Sequence, residues 1–293
     1  MNKLKQQTIA ENVFDILNFC YITLFAAACI LPLVHILFGS LSNSAEVMRT
    51  SGLILYPLGG INFDGYKKIF STNELVISFK NSIIYLLIGV TISMSVSILT
   101  AYVLSRKKLY FGKHLMIFMI IVMIFNAGLI PTYLVVRGLG LYNTMWAVIL
   151  PQVISPFNVI ILTNAFRGIP DSLEEAARID GASHFHILYK IVVPVSLGTI
   201  VVILMFYSIT NWNAYLNAMI YLRNKRLWPL QLLLREKLVA VDDATSVGEV
   251  NEELLKEILK YCYIVISTLP LAVIYPFIQK HIKRGVMIGS IKG

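Results

Sequence analysis

Apolar positions in this chain come in long runs that no charged residue interrupts. Six runs reach 18 residues or more: 16–45, 81–105, 114–136, 138–166, 191–222 and 261–279. A helix needs about 20 mostly apolar residues to cross a bilayer. The alternative, a closed barrel, uses strands of about ten residues that alternate apolar and polar, and these runs are too long and too uniformly apolar for it. The pattern predicts an all-α integral membrane protein, with six transmembrane helices at about 16–38, 81–103, 114–136, 144–166, 194–216 and 261–279. They would form one domain over residues 1–293. The polar interruptions 167–193 and 217–260 would lie on opposite sides of the membrane.

Composition agrees. Of 293 residues, 57% are hydrophobic and 14% charged, and the mean hydropathy is +0.73, against about a quarter charged in soluble domains. Six spans put both termini on one side. With termini inside, the inner segments carry 13 Lys and Arg in 65 residues and the outer ones 12 in 96. The clusters Arg106-Lys107-Lys108 and Lys283-Arg284 lie tight against span ends, where positive charge weighs most. Both termini, with loop 167–193, are therefore expected on the cytoplasmic side, the chain being a multi-pass membrane protein. Basic loops beside an anionic leaflet account for the net charge of +9 without nucleic acid. Cys20, Cys29 and Cys262 fall in apolar runs and imply neither disulfide nor metal cluster. Ala26-Ala27-Ala28-Cys29 loosely resembles a lipoprotein cleavage site, yet apolar sequence continues to Phe38, so the first run is expected to be a retained span.

Within the spans the polar residues are few. His35 is expected to be satisfied by a neighbouring helix. Asn126, Gln152, Asn158, Asn164, Asn211 and Asn213 either bond between helices or face a watery cavity, since lipid offers them no partner. Asn126, Asn158, Trp212, Asn213 and Tyr215 are the candidates for a solute path, although Trp212 and Tyr215 suit interfacial anchoring equally. Pro151 and Pro156 predict a bend or break in the fourth span. Gly89 with Thr91, Ser93, Ser95 and Ser97 gives the second span a small-residue character that permits close helix contact.

The most specific stretch lies in loop 167–193: Pro170-Asp171-Ser172-Leu173-Glu174-Glu175-Ala176-Ala177-Arg178-Ile179-Asp180-Gly181-Ala182-Ser183. Ser172 and Glu175 fit a capping box that starts a helix. Leu173, Ala176, Ala177 and Asp180 share one face, and Gly181 stands where a left-handed stop is cheapest. Ser183 fits the cap of a second short helix that ends before Pro194. The residues alone leave two readings of this elbow open: insertion into a partner's cleft, with Leu173 and Phe185 as apolar anchors, or rest on the lipid surface. His184 and His186, two apart on a helix, point in different directions and are not expected to share a metal.

The spacing Glu175-Ala176-Ala177, three residues, Gly181, nine residues, Ile191, one residue, Val193-Pro194 resembles the EAA loop of ABC importer permeases of the binding-protein-dependent type I class, departing only at Val193, where leucine is usual. The resemblance extends to Pro32 with Gly39-Ser40, to Asn211-Trp212-Asn213-Ala214-Tyr215, to Trp228-Pro229-Leu230 and to Tyr275-Pro276-Phe277-Ile278-Gln279-Lys280. The tail Lys283 to Gly293 is similar to the carbohydrate branch, particularly permeases for oligosaccharides from complex polysaccharides. The resemblance implies a six-helix permease, not an enzyme, that pairs with a second permease (a heterodimer), two copies of an ATPase and an extracytoplasmic sugar-binding protein. It implies that the elbow is a coupling helix, with Glu174, Glu175, Ala176, Ala177, Asp180 and Gly181 forming the docking surface and its turn, and Pro194 marking the return into the membrane. An alternating-access cavity would be shared by the two permeases. No G-x-x-x-x-G-K-[ST] sequence is present, so no cofactor is expected on this chain, and ATP and Mg2+ belong to the partner ATPase. Loop 217–260 resembles the segment that reaches the binding protein. There, Asn251 fits a helix cap, Glu252 and Lys256 an i, i+4 pair, and Asp242, Asp243, Glu249, Glu252 and Glu253 a solvated acidic face. An ABC permease for another solute is the alternative. A standalone ion-coupled carrier or membrane enzyme would need buried acids, bases or metal ligands, which the spans lack.

Overall fold

The structure is a computed structural model that describes residues 9–107, 109–125, 127–243, 258–274 and 276. Fifteen helices follow in chain order: α1 (Ile9–Ser40), α2 (Ser44–Arg49), α3 (Asp64–Phe70), α4 (Asn73–Ser105), α5 (Gly112–Ile124), α6 (Leu129–Gly138), α7 (Met145–Ile149), α8 (Pro156–Arg167), α9 (Asp171–Ile179), α10 (His184–Ile187), α11 (Val193–Val195), α12 (Leu197–Trp212), α13 (Leu216–Tyr221), α14 (Leu230–Asp243) and α15 (Ile258–Ile274). No strand occurs among the described residues.

By length and composition α1 and α4 each suffice to cross a membrane, and three bent pairs, α5 with α6, α7 with α8, and α10–α11 with α12, bring the total to as many as five. α15 is a shorter apolar helix, and the expected sixth span, 261–279, runs past the described residues. The break predicted at Pro151 and Pro156 lies between Gln152 and Pro156, where the chain bends by 48°. Ser155 then caps α8 through its hydroxyl, which accepts from the Asn158 amide. The expected third span, 114–136, is instead divided into α5 and α6, with Asn126 between them outside the described residues. The fifth begins only after an 87° bend at Ser196.

The described chain falls into two compact units, one of residues 9–71, 237–243 and 258–267, the other of 72–236 and 268–274. In the first, the end of α1 meets α3 and α15 through small residues. A Cβ on Gly39 would lie 2.9 Å from the Tyr261 ring, and one on Gly65 would lie 2.7 Å from Ile258 and 2.8 Å from the Cys262 sulfur. Ser40 Oγ and Tyr66 share a hydrogen bond of 2.7 Å. His35 is satisfied as expected: Nδ1 accepts from the Ile54 amide at 2.9 Å, which leaves Nε2 to donate to Tyr261 at 3.2 Å.

The second unit is built around α4, against which α8 and α12 pack. Ser78, Ser82, Tyr85, Gly89, Ser93 and Ser97 recur at three- and four-residue spacing and are buried, whereas Thr91 and Ser95 face outward. This stripe lets the backbones approach, and what fills the gap is polar. Tyr207 of α12, 2% exposed, bonds Ser97 at 2.7 Å and accepts from the backbone N–H of Ser155 at 3.0 Å. One hydroxyl thus ties α4, α12 and the break before α8. Tyr207→Phe would strand the Ser155 N–H without a partner, an expected loss of about 1–3 kcal/mol. A lower melting temperature of the detergent-solubilised protein checks this, and an unchanged one would show that the tie is dispensable.

Candidate functional site

The elbow is α9, a turn and α10, which continues as a π-helical turn, Leu188–Val192, into α11. The predicted start needs correction. Ser172 forms no capping box: α9 begins at Asp171, with Pro170 in the cap position and no side-chain cap bond. The physical reason is that the helix starts before Ser172, which lies inside α9 and cannot serve as its cap, and the first turn is held from outside. Glu174 pairs with Arg106 and Asp171 with Lys107, both partners lying just beyond the C-terminus of α4. Acids at a helix N-terminus and bases at a helix C-terminus each meet a favourable dipole end, so the two helices join through complementary termini. The Lys107 ammonium holds the Asp171 carboxyl below its ordinary range. A depressed carboxylate keeps its charge above that range and loses it only as pH falls through the lowered value, so this tie is present throughout the neutral range.

The stop is as the sequence predicts. Gly181 has φ +80°. The Ala182 N–H reaches back to the Ala177 carbonyl at 2.9 Å and the Gly181 N–H to Arg178 at 3.0 Å, the two bonds of a Schellman motif. Ala177 and Ala182, partly buried, pack on the core of the second unit. Ser183 caps the second helix by accepting from the His186 amide.

These contacts sort the predicted docking residues. Glu174 is buried, its side chain 11% exposed, and Ala177 faces the core, so neither offers surface as it stands. Glu175, Ala176, Asp180 and Gly181 are exposed, as are the two proposed anchors Leu173 and Phe185. Pro194 is exposed on α11, two residues before the bend. The residue that sequence reasoning missed on the outer face is Ile179, 87% exposed. Its signal was available, since it is apolar yet falls off the Leu173–Ala177 face.

Behind the elbow lies a cleft of about 640 Å³ between α4, α8, α9 and α10, lined among others by Tyr102, Arg106, Arg167, Glu174 and His184. Two hydrogen bonds and a cation–π contact cross or border it. His184 Nδ1 and Tyr102 OH are 3.3 Å apart, Arg167 donates to the Leu104 carbonyl at 2.9 Å, and the Arg106 guanidinium lies 4.4 Å from the Tyr102 ring centre. His184 is therefore turned to α4.

The candidates for a solute path are not gathered into one surface. Asn158 and Trp212 are 5% and 3% exposed, Trp212 meeting Phe79 edge-on. Asn213 is exposed, but its amide donates to the Ile209 carbonyl and closes the end of α12. Tyr215, beside it, lies under the Arg235 guanidinium at 5.0 Å. Asn126 lies outside the described residues.

The stretch that carries the elbow matches a known family. Residues 85–227 match the binding-protein-dependent transport system inner membrane component. The chain is also 40% identical over 287 residues, 97% of its own length and 99% of the relative's, to the polygalacturonan/rhamnogalacturonan transport system permease protein YtcP of Bacillus subtilis (strain 168). The chain belongs to this family. The permease is 37% identical over 289 residues to protein LplC of the same organism, covering 98% of this chain and 97% of that one. In structure it is similar to a chain of a bacterial ABC transporter involved in the import of the acidic polysaccharide alginate, with a TM-score of 0.85, 30% identity, and coverage of 94% and 98% of the two chains. It is thus an inner membrane, multi-pass subunit of a binding-protein-dependent transport system, and not itself an enzyme.

Outside the elbow, the Asn251 cap, the Glu252–Lys256 pair, Glu249 and Glu253, the side chains of Asp242 and Asp243, and the tail from 277 lie outside the described residues.

Proposed function

We propose that this permease moves an oligosaccharide, delivered by an extracytoplasmic binding protein, through an alternating-access cavity shared with a second, non-identical permease. Two copies of an ATPase, carrying ATP and Mg2+, drive the cycle through the elbow, and both termini lie in the cytoplasm. The observation that carries this reading is similarity along the whole chain to a permease named for a pectic polysaccharide. The neighbouring alginate importer makes uronate-bearing oligomers the first cargo to try.

The exposed residues Glu175, Ala176, Ile179 and Asp180, with Leu173, are the face offered to the ATPase. Seating an exposed isoleucine in a partner contributes about 1.5–3 kcal/mol, so Ile179→Asp is expected to weaken retention of the ATPase about tenfold or more, read by titrating ATPase back onto stripped membranes. Equal retention would remove Ile179 from the interface. The central test is a detergent pull-down of the tagged chain from native membranes, with ATPase activity measured with and without binding protein and oligogalacturonates, lactose serving as the neutral comparator. Co-purification of a second permease and an ATPase, stimulated by loaded binding protein, is expected. A chain that elutes alone, without ATPase activity, would overturn the proposal.

A further inference from the structure

α4 is held at both ends by polar contacts that the loops, not the membrane, supply. At its C-terminus Arg106 is fixed by its own helix, donating to the Tyr102 carbonyl and to Ser105 Oγ. So oriented, it pairs with buried Glu174 of the elbow, while Lys107 holds Asp171 and Tyr102 meets His184. Near its N-terminus α4 holds the loop between α13 and α14. Asn81 Nδ2 donates to the carbonyls of Arg226 and Trp228 at 2.8 and 3.1 Å, Tyr85 OH donates to the Leu227 carbonyl at 2.7 Å, and Ser82 Oγ accepts from the Leu230 amide at 2.7 Å. Four carbonyl or amide groups of a five-residue loop thus end on one turn of α4. From Asn81 to Ser105 the helix runs without a break, about 36 Å at 1.5 Å per residue. Over that length its buried stripe is continuous. A rigid helix fixed to two loops at opposite ends cannot shift along its axis without moving both.

We infer that α4 is the strut that carries the permease's coupling, joining the elbow to the Arg226–Leu230 loop so that displacement of either displaces the other. Arg106, Glu174, Asn81 and Tyr85 are its positioning residues, and none of them needs to touch the transported solute. The inference rests on the proposed function, which puts the ATPase at the elbow and the binding protein on the side of the 217–260 loop.

The test is a double-mutant cycle across the strut in the intact complex, reconstituted in proteoliposomes. Arg106→Gln removes the buried ion pair at one end and Asn81→Ala two of the four loop bonds at the other, and the measurement is the factor by which binding protein, loaded with oligogalacturonates, stimulates ATP hydrolysis. Each single change is expected to reduce stimulation at least about fivefold, the low end of ordinary allosteric coupling. The double change should reduce it no further, because a strut freed at one end transmits nothing. Two sites this far apart with no shared partner would otherwise combine independently, so a double variant whose losses multiply overturns the strut. Arg106→Lys, which keeps the charge, should recover most of the stimulation. If Asn81→Ala fails to accumulate, Tyr85→Phe, which removes one hydroxyl, takes its place in the cycle. An unmodified complex that loaded binding protein does not stimulate overturns the functional reading, and the strut with it. Normal stimulation of the unmodified complex with multiplicative losses overturns the strut alone.

Discussion

Gly89→Ala is expected to destabilise the permease, against the sign that helix propensity gives. Glycine within a helix is about 1 kcal/mol less favourable than alanine, so the substitution at an open position of α4 would stabilise. Here a Cβ would lie 3.1 Å from Cγ of Asn211 and closer still to its Oδ1. Asn211 cannot swing away freely, because it is 8% exposed and its amide donates to the Tyr207 carbonyl at 2.9 Å. Forcing an atom into a packed contact costs about 1–3 kcal/mol, which outweighs the propensity gain, and valine at this position should separate α4 from α12 and abolish accumulation in the membrane. The deciding measurement is a melting curve in two backgrounds. In the native background Gly89→Ala lowers the midpoint. With Asn211→Ala the obstruction is gone and the same change should raise it. A Gly89→Ala variant that is more stable in both backgrounds would mean that the two helices do not approach as closely as described.

That contact also marks how far the sequence could be read. The run Gly89 to Ser97 announced a helix with a small-residue side, because helical periodicity is local and each residue's neighbours are three or four positions away. The partner that fits into the gap, Asn211, is 122 positions along and was indistinguishable from the other amides in the spans. A polar side chain in an apolar run looks the same whether it bonds its own helix and packs against a neighbour, as Asn211 does with the Tyr207 carbonyl and Gly89, or faces a cavity. For that reason Asn158 and Trp212 read as solute-path candidates from the sequence, and their burial in the fold was not legible there.

The elbow divides along the same line. Its stop at Gly181 and its second cap at Ser183 depend on residues within five positions and were legible. Its start was misread because the Ser172–Glu175 box is a local pattern, whereas the groups that hold the first turn, Arg106 and Lys107, come from another helix. Those two residues read as part of a basic cluster set by membrane charge, and nothing in the sequence assigned Glu174 to Arg106 rather than to a partner protein. Family resemblance supplied the role proposed for the elbow, and the inward turn of Glu174 came only with the fold.

Substitution at Gly181 should separate coupling from assembly. No neighbour lies within 4 Å of a Cβ built on this residue, so a larger side chain meets no steric obstruction. Its penalty comes instead from the backbone, since φ +80° costs a residue with a Cβ about 1–2 kcal/mol, less for asparagine and most for β-branched residues. The chain can relieve that strain only by giving up the Schellman bonds that lock α9 to the turn, and α9 is the part of the permease tied to α4 through Glu174. A bias of 1–2 kcal/mol shifts a two-state equilibrium about five- to thirtyfold, enough to misplace the outer face in most molecules without disturbing the spans. Oligosaccharide imported per ATP hydrolysed should therefore fall in the order glycine, asparagine, alanine, valine, with Gly181→Val losing about tenfold or more, while the amount of permease in the membrane stays near normal. Equal coupling in Gly181→Val and the native chain would show that the elbow works without a fixed turn. Coupling lost in step with protein accumulation would show that the turn serves folding alone.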